Sequence, residues 1–334
     1  GGPNFDALKD DLKFGDEEIS DVMTTYSMKI PQNKPGKLIR SPQYIRQADY
    51  VVMESTYGGR FHKNTGDHVE EFARVIQETL DKGGNVVIPA FAVGRTQEVL
   101  NYIRIIKEKN LVTGHGVFPV YLDSPMAVEA TGVFKDNMMD CYNEETKELV
   151  KKGINPISFP GLHLSITSSD SVAINFNEEP KVIISAAGMC DAGRIRHHLK
   201  HNLWREECTI VFVGYQVPGT LGYQLLNGAK EVKLFGETVH VNAEILNLPG
   251  ISGHADKDHL TAWVQGMKQK PKRVFVVHGQ DQVTDNFAAH LKVIFMICSR
   301  ICAWYRAAEN WQRNVRPRKL ETVYLTGYWQ QVSA

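Results

Sequence analysis

Six runs of nearly unbroken apolar residues recur along this chain, and that rhythm restricts the fold more than any other feature. They are "YVVM" at 50–53, "NVVIPAFA" at 85–92, "VFPVYL" at 117–122, "KVIIS" at 181–185, "TIVFV" at 209–213 and "RVFVV" at 273–277. A strand apolar at every position is buried on both faces, the condition of a parallel sheet covered by crossover helices. The intervening segments have helical periodicity. In "DHVEEFARVIQETLDKGG" (67–84), Val69, Phe72, Ile76 and Leu80 share one face. Further helices are predicted over 95–109, 193–203 and near 256–268, with shorter strands in "VKLFG" and "VNAEILNLPG". A helix is also predicted around 16–26, before the breaker-rich "KIPQNKPGK". The expected class is α/β, with a mainly parallel sheet flanked by helices.

The 334 residues leave room for two domains with substantial cores. Lys+Arg and Asp+Glu are both 38, so a nucleic-acid partner would need a local basic groove and gains nothing from overall charge. The longest apolar run, "VIFMIC" at 293–298, is too short to span a bilayer, so no membrane partner is expected. The five scattered cysteines argue for reduced thiols in a cytoplasm, and "CSRIC" has the wrong spacing for a metal site. The opening "GGPN" lacks a Met and reads as a fragment or an expression remnant.

Ligands bind outside the carboxyl ends of strands in open α/β sheets. Four strand exits carry polar residues among small ones: Glu54 in "MESTYGG", Asp123 in "LDSPMA", His254 in "SGHAD" and His278 in "VHGQ". Each alone reads as a capping or turn residue; together they point to a site whose membership spacing does not decide. The loop "SAAGMCDAGRIRHHLKH" runs from a strand into a helix through small residues, including Ser185, Gly188 and Gly193, with Arg194 at the helix start. Its backbone N–H groups suit an anion such as phosphate. The same pattern also fits a tight strand-to-helix turn with a solvated basic face.

The stretches "ADYVVMESTYGGRFH", "NVVIPAFAVGRTQEVL", "VYLDSPMA", "ISAAGMCDAGRIRHHLKHNL", "TIVFVGYQVPGTLG", "ISGHADKDHL" and "VFVVHGQ" occur in an order that resembles the β-CASP branch of the metallo-β-lactamase-fold RNA-processing nucleases. The branch includes ribonuclease J and the messenger-RNA 3′-end processing endonuclease, and this chain is most similar to the prokaryotic stand-alone type. The likeness covers roughly 39–291. It implies a metallo-β-lactamase αββα domain interrupted by a β-CASP domain, with RNA held in the cleft between them. On that basis 1–60 is a remnant of the metallo-β-lactamase domain, 61–233 the β-CASP domain, 234–291 the returning metallo-β-lactamase part, and 292–334 an atypical basic and aromatic tail. The resemblance further implies a zinc-dependent, cytoplasmic RNA phosphodiester hydrolase with two zinc ions and a bridging hydroxide. Glu54 would orient ligands, His254 would contact the scissile phosphate and assist the leaving oxygen, and His278 would bind zinc. Ser185, Gly188, Gly193 and Arg194 would face the RNA backbone. Single-stranded RNA is the implied partner, with a homodimer or pairing with an active relative.

The chain departs from that pattern at both ends. The family's H-x-H-x-D-H motif is absent, and no histidine precedes His62. The further metal histidine that follows that motif is missing as well. Where the family has a bridging aspartate in a Y-S-G-D-I type segment, one alignment offers "YSMKI", with Lys29 in the carboxylate's place. The other places a deletion of several strands between Leu38 and Ile39. His278 is thus the one family zinc ligand retained, too few for a dinuclear site. From Lys292 onward, seven Lys/Arg face two acidic residues and no period organises the sequence, as expected of a frameshifted, fused or degenerate terminus. The expected function is therefore an RNA hydrolase by family, impaired in this chain for lack of metal ligands. The alternative is a non-catalytic RNA-binding or partner subunit.

Overall fold

A computed structural model describes residues 38–40, 44–61, 68–248 and 254–295. The predicted helix at 16–26, Lys29, Cys298, Cys302 and the tail beyond 295 lie outside them. Elements follow in chain order as β1 (Tyr50–Glu54), α1 (His68–Asp81), β2 (Val86–Pro89), α2 (Arg95–Glu108), β3 (Val120–Asp123) and α3 (Pro125–Asp136). Next come α4 (Met138–Cys141), α5 (Glu144–Lys151), β4 (Leu162–Ser165), α6 (Ser168–Phe176), β5 (Val182–Ser185), α7 (Ile195–Asn202) and β6 (Thr209–Phe212). The last are α8 (Leu221–Leu226), β7 (Glu231–Leu234), β8 (Glu237–His240), β9 (Glu244–Asn247), α9 (Lys257–Gln265), β10 (Arg273–Val277) and α10 (Asp281–Phe295). No helix among the described residues is long and apolar enough to cross a membrane.

The chain divides into two compact units. The larger, 33–41 with 62–253, is built on a six-stranded sheet of order β4-β3-β5-β2-β6-β9. Every pairing in it is parallel, as the continuous apolar runs predict. Alternate residues serve opposite cores. Val86, Ile88, Leu122, Ile184 and Val211 face one cluster, into which α1 sends Phe72, Ile76 and Leu80 and α2 sends Leu100 and Ile103. Val87, Ile183, Ile210 and Phe212 face the other, closed by Ile195 and Leu199 of α7 and Leu221 and Leu225 of α8. Each such side chain contributes about 1.5–3 kcal/mol by burial. The β7–β8 hairpin, absent from the sequence reading except as "VKLFG", adds Val232, Leu234 and Val239 to that second core.

The smaller unit comprises 42–61 and 254–334 as far as it is described. Here β1 pairs in parallel with β10, Tyr50 opposite Arg273 and Glu54 opposite Val277. Val51, Met53, Val274 and Val276 pack on Leu260, Trp263 and Val264 of α9 and Phe287 and Leu291 of α10. The out-of-phase Val52 is exposed. Contacts thus place 234–248, read from sequence as the start of a returning segment, in the larger unit, with β9 hydrogen-bonded to β6.

Candidate active site

The register of β1 and β10 ends both strands together, so Glu54 and the residue after Val277 emerge side by side. His278 turns off its strand in the left-handed region (φ 55°), uncommon for a residue with a Cβ, although histidine is among the types enriched there. The next residue has to be glycine. A Cβ on Gly279 would meet Ser55 Oγ at 2.4 Å, and that hydroxyl is donated to the Val277 carbonyl at 3.0 Å. His254 arrives from the other direction, just ahead of α9. Asp256 caps that helix by accepting from the His259 amide at 3.0 Å and bridges to Tyr57 in the loop after β1.

Glu54 is the centre of the cluster. Its Oε2 accepts a hydrogen bond from His254 Nδ1 at 2.6 Å and one from Thr56 Oγ1 at 2.7 Å, and His278 Nδ1 lies 3.9 Å away. The Thr56 hydroxyl also sits 2.9 Å from the His278 carbonyl and 3.0 Å from its Nδ1. With one proton it donates to one of these acceptors at a time and can accept from the ring N–H. Glu54 Oε1 is buried and has no hydrogen-bond partner. Burial works to raise the Glu54 pKa, but hydrogen bonds from His254, His278 and Thr56, together with the field of His254, outweigh it and bring it down to about 2. The carboxylate is therefore ionised at neutral pH, while the two imidazoles remain accessible, at 28% for His254 and 54% for His278. Both rings turn Nδ1 toward Glu54 and Thr56, so contact with a metal or a phosphate falls to Nε2. Imidazoles held from behind by a carboxylate are a common arrangement around metals.

Among the described residues, Glu54, His254 and His278 form the cluster that could hold a metal ion, with donor atoms within 4.8 Å of one another. Two histidines and a carboxylate suit one zinc ion with an open position. They do not suit two, because among the described residues a second ion finds no donors there.

The other sequence candidates lie in the larger unit. Asp123, at the end of β3, is fully buried and saturated. It accepts from Ser165 Oγ at 2.6 Å, Ser171 Oγ at 2.5 Å, Arg194 Nη1 at 2.7 Å and His198 Nε2 at 2.6 Å. The four strand-end residues thus divide, three in one cluster and Asp123 apart from it. Arg194 spends its guanidinium on Asp123 and on the Ser165 and Ile166 carbonyls. Ser185 is buried and donates to the Asp123 carbonyl at 2.8 Å. Gly188 lies against Phe91 and accepts from Gln216 Nε2 at 3.0 Å. Gly193 (φ 80°) packs on the Ala186 carbonyl, where a Cβ would approach to 2.4 Å. Within this loop the Ala187, Cys190 and Ile195 amides bond to the loop's own carbonyls. These bonds are those of a tight turn between strand and helix.

Thr56 escaped the sequence reading. It stands two residues after Glu54 in "ESTYG", and a hydroxyl at that offset from a strand-end carboxylate is the signal that could have found it.

Comparison with known proteins adds two family matches. Residues 96–225 match the Beta-Casp domain, and residues 238–297 match the Zn-dependent metallo-hydrolase RNA specificity domain. The chain is similar to ribonuclease TTHA0252 of Thermus thermophilus, at 36% identity over 250 residues, covering 75% of this chain and 56% of the relative. It is also similar to the transcription termination factor FttA of Pyrococcus horikoshii, at 33% identity over 257 residues, covering 75% of this chain and 39% of that protein. An RNase J-like protein of Methanocaldococcus jannaschii is 30% identical over 277 residues, covering 81% of this chain and 61% of its own length. The chain therefore spans 39–61% of the length of these relatives.

Proposed function

The chain belongs to the β-CASP family of metallo-β-lactamase-fold nucleases, and from that premise we propose that its Glu54–His254–His278 edge serves the hydrolysis of RNA phosphodiester bonds, with activity impaired in this chain alone. The observation that carries this reading is the convergence of two accessible imidazoles on one buried, ionised carboxylate.

Zinc bound here would lower the pKa of a coordinated water and neutralise charge on phosphate oxygens. His278 would hold the ion through Nε2, steadied by Thr56 at Nδ1. Glu54 fixes the orientation of both rings. His254, with Nδ1 anchored on Glu54 at 2.6 Å, presents its other nitrogen to the scissile phosphate and supplies a proton to the leaving oxygen, work worth about 10²–10⁴-fold in rate. Impairment follows from the donor count among the described residues: with Glu54 and His254 in these roles, His278 is left as the zinc ligand, too few for a dinuclear site.

The test is elemental analysis joined to a single-stranded RNA cleavage assay. The expected result is at most one zinc per chain and slow cleavage that disappears in His254→Ala. Two zinc ions per chain with rapid His254-dependent cleavage would overturn the impairment. A second reading, a non-catalytic RNA-binding subunit, is favoured by the contrast between three metal donors and a complete six-stranded unit. It requires RNA affinity that falls with salt and survives His254→Ala.

A further inference from the structure

Helix α7 buries Ile195, His198, Leu199 and Asn202 on the sheet of the larger unit. That leaves His197, Lys200 and His201 on its outward side, spaced i, i+3 and i+4. Trp204, at i+7, continues the stripe just past the C-cap and is 57% exposed. The helix contains no acidic residue, and Arg196 at its start joins Lys200 as its second cation.

Two further exposed aromatics flank this stripe, each in contact with it. Phe235, 46% exposed, stacks on His197 with ring centres 4.4 Å apart and lies 5.1 Å from the Arg196 guanidinium. Phe176, 73% exposed, meets His201 edge-on at 6.0 Å. Phe235 is held in the left-handed region (φ 52°) at the tip of the β7–β8 hairpin. A bulky residue there is a genuine outlier, and backbone strain of this kind concentrates at functional positions. Burial and neighbouring positive charge lower the pKa of both His197 and His201, so at neutral pH they are flat neutral rings.

The N-terminal end of the stripe opens on a cavity of about 500 Å³ lined by Arg196, Lys233, Gln224 and Thr238, with Asp191 and Glu231 also on its wall. Arg196 donates Nη1 to the Asp191 carbonyl at 3.2 Å, but its Nε is buried without a hydrogen-bond partner. Asp191 is already engaged, accepting from the Leu221 amide at 2.9 Å. Of the neighbouring acids, Glu237 is neutralised by Lys200 at 2.7 Å. A guanidinium lining a cavity beside exposed rings is what a phosphate-linked chain of bases would complete.

We propose that the outer face of α7, from Phe235 past His197 and His201 to Trp204 and Phe176, is a second RNA-contacting surface, carried by the larger unit, that binds single-stranded RNA by stacking bases on Phe235, Trp204 and Phe176 and taking a phosphate at Arg196. This rests on the reading of the chain as an RNA nuclease of its family. Sequence-tolerant binding of this kind joins aromatic platforms to a positive track, and each stacked base is worth about 1–3 kcal/mol by alanine substitution, which is about five- to 150-fold in affinity.

The experiment measures fluorescence anisotropy of a labelled single-stranded oligouridine RNA against the full chain at two salt concentrations. Phe176→Ala, Trp204→Ala and Phe235→Ala are compared alone and together, with Val133→Ala, at an exposed apolar residue of α3 outside this stripe, as the control and thermal melting as the check of folding. The expected result is a loss of at least tenfold in affinity in the triple variant at unchanged melting temperature. Affinity in Phe235→Trp should stay near wild type, and Val133→Ala should bind normally. An abasic oligonucleotide should lose affinity for the wild type to the same extent that the triple variant loses it for RNA. A triple variant that binds as the wild type does overturns the surface while leaving the nuclease reading standing. A wild type without RNA affinity overturns both. Loss of self-association in the triple variant, with RNA affinity retained, overturns RNA as the occupant in favour of a second copy of this chain.

Discussion

Two carboxylates in this protein share a description and differ in every consequence. Glu54 and Asp123 each end a parallel strand, and each bonds to an imidazole at 2.6 Å. Asp123 has both oxygens occupied and is sealed from solvent together with His198. Glu54 has one oxygen orphaned, and its two histidines face solvent. A buried carboxylate with every acceptor filled is a fastening, because nothing further can be bound without breaking something. A carboxylate left incomplete beside accessible rings is poised to act on something outside the protein.

The sharpest way to break that contrast is to remove each group in turn. Asp123→Ala leaves buried His198 without its hydrogen-bond partner and Arg194 without its counter-charge, and stripping one partner from such a network costs about 3–5 kcal/mol. Glu54→Gln keeps the volume and gives up one charge-assisted set of bonds, for about 1–2 kcal/mol. Urea unfolding measures both, and an equal loss in the two variants would erase the distinction. Metal uptake should reverse the ranking. Glu54→Gln is expected to weaken zinc binding about 10–100-fold, the usual effect of losing a carboxylate that orients ligand histidines. Asp123→Asn, provided it folds, should leave zinc binding unchanged, as read by competition with a chromogenic chelator.

The smallest effect is confined to acid. Burial pushes the Asp123 carboxyl up, but donors from His198, Ser165 and Ser171 prevail and hold it well below the usual carboxylate range. The folded state therefore takes up this proton at lower pH than the unfolded chain does. The stability it supplies is complete above the unfolded value of about 3.8 and is lost as pH falls below that. The gap in urea midpoint between wild type and Asp123→Asn should narrow between pH 6 and pH 2.5. A gap that widened would show that the carboxyl is not held as described.

Much of this was legible in residues alone. The unbroken runs around Val87, Ile183 and Ile210 announced a parallel sheet because such strands are buried on both sides, and the two cores on either face of β2, β5 and β6 agree. The α1 face of Val69, Phe72, Ile76 and Leu80 is buried as periodicity requires. β4 escaped notice because "LHLS" is short and half exposed at the sheet edge, leaving no apolar run to read. Fourfold polar strand ends gave the right residue types but not their grouping. Whether Asp123 meets Glu54 depends on which strands neighbour one another, and that is set by pairings between residues far apart in sequence. Arg194 shows the same limit, since a basic residue at a helix start reads alike whether it serves an anionic ligand or a buried aspartate of its own chain.

The pairing of β1 with β10 also orders events in time. Ser55 and Val277 are 222 residues apart, and closing a flexible loop of that length costs about 5 kcal/mol in chain entropy. The intervening unit has its own sheet and two cores, so it can fold first and shorten the effective loop before the two strands meet. On a ribosome the nascent chain would therefore possess the six-stranded unit well before Glu54 could touch His278. A polypeptide halted between residues 254 and 273 would carry the α7 face and lack the strand that brings His278 to Glu54, which makes the α7 face the older of the two in the life of every molecule.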